Sequence, residues 1–90
     1  MARAAVLPGG DCSECSDEDL LGILHRTCHA YEMNYDWQIK YLKDQTIAVG
    51  KELNKRGGRD EMMRLYNRIA YRPGKKFLAT LWKGVGDWTT

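Results

Sequence analysis

Apolar positions along this chain recur at helical spacing, and no stretch alternates apolar and polar as a half-buried strand would. Leu20, Leu24, Cys28 and Tyr31 form the first stripe. Ser16 precedes it as a helix cap, with Asp17, Glu18 and Asp19 placing negative charge on the positive end of the helix dipole. This predicts a helix from Asp17 to about Met33. Gly22 within it suggests a close contact, because glycine in a helix interior costs about 1 kcal/mol relative to alanine. Tyr35, Ile39, Leu42, Thr46, Val49 and Leu53 are spaced 4, 3, 4, 3, 4 and predict a second helix from a cap at Asp36 to Arg56, closed by Gly57-Gly58. Met62, Leu65, Tyr66, Ile69 and Ala70 predict a third helix, stopped by Pro73-Gly74. Phe77, Leu78, Leu81 and Trp82 predict a fourth over 75–83, after which Val85 and Trp88 can fold back onto the core.

The expected architecture is therefore all-α, a small bundle of three to four helices with short connections. Residues 1–15, broken by Pro8-Gly9-Gly10, read as a flexible N-terminal leader, and residues 16–90 as a single helical domain. At 90 residues there is room for one core only. Apolar runs are too short for a membrane span, and the run Ala4-Ala5-Val6-Leu7 is too short for a secretory signal. Three cysteines, an odd number, do not suit a disulfide framework. A cytoplasmic location without membrane contact is expected.

Charge changes the picture more than composition does. Met1 to Leu24 carries one base against five acids, net −4, whereas Lys40 to Lys83 carries twelve bases against four acids, net +8. Lys51, Lys55, Arg56, Arg59, Arg64, Arg68, Arg72, Lys75 and Lys76 concentrate in the second half. On a continuous third helix Arg64, Arg68 and Arg72 would share one face, suited to a phosphate backbone, with Tyr66 and Tyr71 nearby for stacking. The same charges would equally be explained by attraction to the acidic first helix.

Three further constellations carry possible chemistry. Cys12, Cys15, His25 and His29 form a Cys2His2 set suited to zinc. Its nine-residue spacer is short, and a helix starting at Ser16 separates Cys15 from His25 by about 15 Å, so no metal is favoured. Cys28 with His25 and Glu32 resembles a nucleophile, base and orienter, but the thiol falls on the apolar stripe, where cysteine packs and does not react. No phosphate loop or dinucleotide fingerprint is present, and no cofactor is implied. Trp37 and Tyr41 lie off the main stripe of the second helix, on a shared face that either packs against another element or meets a partner.

The sequence thus points to a non-enzymatic protein-interaction or regulatory module with a basic and aromatic surface. A nucleic-acid-binding domain using the Arg64/Arg68/Arg72 face and a zinc-stabilised domain are the alternatives. The expected partner is another protein; self-association is allowed but not indicated.

Overall fold

The computed structural model describes residues 14–70 and 72–88; most of the expected leader lies outside this range. Three helices form, α1 Asp17–Glu32, α2 Asp36–Tyr66 and α3 Arg72–Trp82, and the described residues contain no strand. α1 packs against both α2 and α3. No helix among the described residues is long and apolar enough to cross a membrane.

α1 begins as its sequence predicts. Ser16 Oγ accepts the Asp19 N–H at 3.1 Å while the Asp19 carboxylate accepts the Ser16 N–H at 3.2 Å, a reciprocal capping box that satisfies two otherwise orphaned donors. Asn34, at φ 59°, turns the chain into α2. Asp36 is the first helical residue and not the cap; that position belongs to Tyr35, whose side chain makes no capping bond. Cys15, expected in the leader, is instead buried against the core. Gly22 also departs from expectation: a Cβ there would meet nothing within 4 Å.

α2 is continuous in outline but broken at Gly57-Gly58, where the helical dihedrals are lost. Gly58 sits at φ 66°, ψ −154°, a conformation essentially reserved for glycine. The predicted end of the second helix is therefore real as a kink. The next segment is shorter than expected: it ends at Tyr66 with Asn67 as its cap, and Ile69 remains buried beyond it. Pro73 does not stop that segment: it stands in the first turn of α3, beyond the break between Tyr66 and Arg72, and lacks a backbone N–H. Inside the first turn of α3, that missing donor has no cost.

The core gathers Leu20, Ile23 and Leu24 from α1, Val49, Leu53, Met62 and Leu65 from α2, and Leu78 and Trp82 from α3. The tail closes it as foreseen, with Val85 and Trp88 buried and the Trp88 ring edge-on to Trp82 at 4.9 Å and to Tyr66 at 5.0 Å. One polar junction links the three helices. The Thr27 and Thr46 hydroxyls meet at 2.6 Å, and Trp82 Nε1 donates to the Thr46 carbonyl at 2.9 Å. Gly74 lies directly on the Cys28 backbone, which lets α3 approach α1 closely.

Candidate interaction surface

The predicted basic face does not assemble as a helical stripe. Because α2 ends at Tyr66, Arg64 is helical, Arg68 lies in the following turn and Arg72 opens α3. The acidic first turn of α1 takes up several of these charges. Arg64 donates to Asp17 and Glu61, Arg56 donates to Asp17 at 3.3 Å and Glu52 at 2.7 Å, and Arg68 reaches Glu18 at 3.4 Å. Arg56 also donates to the Cys15 carbonyl at 2.6 Å, which ties the segment before α1 to α2. Hydrogen bonds to Glu61 and Asp17 push the Arg64 pKa further up, so it stays a cation. Asp17 thus bridges one arginine from each side of the Gly57-Gly58 break.

The other basic residues are scattered. Lys75 sits over the Tyr66 ring at 4.9 Å, a cation–π contact. Lys76 and Arg72 are exposed on α3, Arg59 is exposed just after the break, and Lys55 is exposed near the end of the first α2 segment. Tyr71 lies outside the described residues.

The metal constellation is not assembled either. Cys12 lies outside the described residues, Cys15 is buried ahead of α1, and His25 and His29 sit on α1. Among the described residues no group of three or more His, Cys, Asp or Glu side chains is placed to hold a metal ion. Cys28 is fully buried, and its thiol is pushed up to about 11 by burial, with Glu32 adding to the effect and Lys75 opposing it. A nucleophile requires the opposite shift.

What the fold does expose is aromatic. Trp37 is 72% and Tyr41 68% accessible, and Tyr31, Met33 and Tyr35 are also exposed. All five fall on the last turn of α1, the connection and the first turns of α2, one corner of the molecule. Tyr31 stacks on Phe77 of α3 at 4.5 Å with an 11° interplanar angle, and Tyr35 meets His29 edge-on, so the corner is partly held in place by its own rings. Trp37 and Tyr41 project from the side of α2 opposite its buried Leu42, Thr46, Val49 and Leu53.

At 100° per residue that outer side also carries Lys40, Asp44, Lys51 and Lys55, all exposed. None of these three lysines makes an ion pair with another described residue. The sequence singles out Trp37, Tyr41, Lys51 and Lys55 but not Lys40, whose signal is the face 180° from the predicted core, read for charge as well as for aromatics. No family model, curated protein or solved structure matches the chain.

Proposed function

We propose that this protein is a non-enzymatic helical interaction module that binds a macromolecular partner, a protein, through the aromatic corner and the outer side of α2. The observation that carries this reading is the exposure of Trp37 and Tyr41, at 72% and 68%, on a face with no structural role in the core. Tryptophan and tyrosine offer large contact areas with a polar tip, and they are enriched among the residues that dominate the energetics of protein interfaces. Five large apolar side chains at one corner of so small a fold exceed the scattered exposure that soluble surfaces ordinarily show.

The alternative in which Arg64, Arg68 and Arg72 track a nucleic-acid backbone is weakened by the pairing of Arg64 and Arg68 with the acidic start of α1. Binding phosphate there would require breaking those contacts. Cys28 is a free, buried thiol, which fits a reducing compartment and supports a cytoplasmic location.

The test is a paired measurement on wild type and a Trp37→Ala/Tyr41→Ala variant. The variant melts with the wild type, because neither ring supports the core, yet loses the proteins that wild type retains from a native extract. Equal retention by both forms would refute the reading. So would a melt lowered enough to show that the two rings are structural.

A further inference from the structure

The outer side of α2 is more than an aromatic corner. Trp37, Tyr41, Asp44, Ala48, Lys51 and Lys55 are spaced 4, 3, 4, 3, 4, the rhythm of a coiled-coil seam. This line runs on the first segment of α2, before the break, for about 27 Å at 1.5 Å per residue. A second helix laid along it would stay in register for its whole length. Ala48, at its middle, is half-buried against the core, and Lys40 flanks Trp37 and Tyr41 on the neighbouring turn.

Charge decides which helix fits. Lys40, Lys51 and Lys55 face solvent without ion pairs among the described residues, against the single Asp44. A second copy of this chain would set like charge against like charge along the same line and is disfavoured. A nucleic-acid backbone presents uniform negative charge, which Asp44 in the middle of the seam opposes. A membrane surface calls for a continuous apolar face, whereas here the aromatics give way to charge after one turn. A side-chain partner alone can vary its sign along the seam.

We infer that this seam is the docking site for an acidic amphipathic helix, apolar where it covers Trp37 and Tyr41 and carboxylate-bearing where it passes Lys51 and Lys55. The inference rests on the interaction reading above and specifies its partner. In this mode the rings supply the anchoring burial, and the lysines set polarity and speed encounter.

The full chain is titrated against fluorescein-labelled synthetic helices of about three heptads with identical leucine seams. One set is flanked by glutamate and the other by lysine. A single-stranded oligonucleotide and anionic phospholipid vesicles serve as further probes. Affinity is read by anisotropy, or by sedimentation for the vesicles. Trp82 and Trp88 are buried, so a blue shift of tryptophan emission reports Trp37. The glutamate helix is expected to bind at least about tenfold tighter than the lysine helix, and more weakly as salt rises. The Lys51→Glu/Lys55→Glu variant reverses that preference, and Trp37→Ala weakens both helices.

Equal binding of the two helices, both lost in Trp37→Ala, would overturn the acidic partner while leaving the interaction reading intact. No binding of the glutamate helix at about 1 mM, where even a contact of −4 kcal/mol registers, would overturn the docking site. Partner retention by the native chain would still judge the broader reading separately. Tighter binding of the oligonucleotide or the vesicles through the same residues would assign the seam to that class and overturn the proposal.

Discussion

The Thr27–Thr46 contact makes an asymmetric prediction about stability. Both side chains are fully buried, and their hydroxyls are 2.6 Å apart. Thr27 also donates to the Ile23 carbonyl at 3.0 Å. A hydroxyl has one hydrogen, so with that of Thr27 directed at Ile23, the bridging hydrogen comes from Thr46. Thr27→Val therefore leaves the buried Thr46 hydroxyl without its acceptor, a cost of about 1–3 kcal/mol. The Ile23 carbonyl keeps its helical N–H partner. Thr46→Val removes only the donor, and Thr27 retains its bond to Ile23; the cost is that of one net hydrogen bond, about 1 kcal/mol. With both positions valine, no polar group is stranded, and two apolar side chains of matching shape face each other at little net cost. The double variant should thus be more stable than Thr27→Val alone, with a coupling of about 1–2 kcal/mol. Urea denaturation followed by circular dichroism, with the slope held in common, measures all four corners of the cycle. Single effects that add within about 0.5 kcal/mol would refute the reasoning, as would a larger cost for Thr46→Val than for Thr27→Val.

Three other outcomes follow from particular contacts. Gly74→Ala would place a Cβ 2.5 Å from Cys28 Cβ and 2.7 Å from its Cα, so α3 must shift; a loss of about 1–3 kcal/mol is expected in a thermal melt. Gly22→Ala, with nothing within 4 Å, should instead gain about 0.5–1 kcal/mol. Asp17→Asn loosens the clasp between Arg56 and Arg64 and should lower the melting temperature at low salt. That difference should disappear near 1 M salt, where the screening length falls to about 3 Å. For Cys28 the folded thiol keeps its proton to about pH 11, whereas the unfolded thiol loses it near the usual 9.0. The unfolded state then holds fewer protons between these values, so stability declines as pH rises from 9 to 11. Cys28→Ala should flatten that decline relative to wild type, as stability measured at a series of alkaline pH values would show.

Local signals were legible where one residue type has one physical use. The Ser16–Asp19 box, the glycine pair at 57–58 and the leucine stripes of α1 and α2 all state their roles in the sequence. The stop near residue 73 was misread because proline marks both ends of a helix: it terminates one and opens another. Periodicity alone does not say which. The charge asymmetry was visible, but its partition was not. Whether Arg64 meets a partner or Asp17 depends on where α1 begins relative to the kink, a distance of 47 residues in sequence. The aromatic corner was half legible. Trp37 and Tyr41 stood off the apolar stripe, but Tyr35 sat on it and is exposed nonetheless, because α2 begins only one residue later and its first turn overhangs the core. Met33 carried no periodic signal, lying where the helix ends.

The central claim is that the corner around Trp37 and Tyr41 meets another macromolecule. A photoreactive phenylalanine analogue at position 41 in living cells tests it most directly, beside a control analogue at position 80 on the exposed part of α3. Discrete adducts are expected from position 41 that vanish when Trp37 is alanine, and none from position 80. An absence of adducts at position 41, or equal adducts at both positions, would contradict the claim.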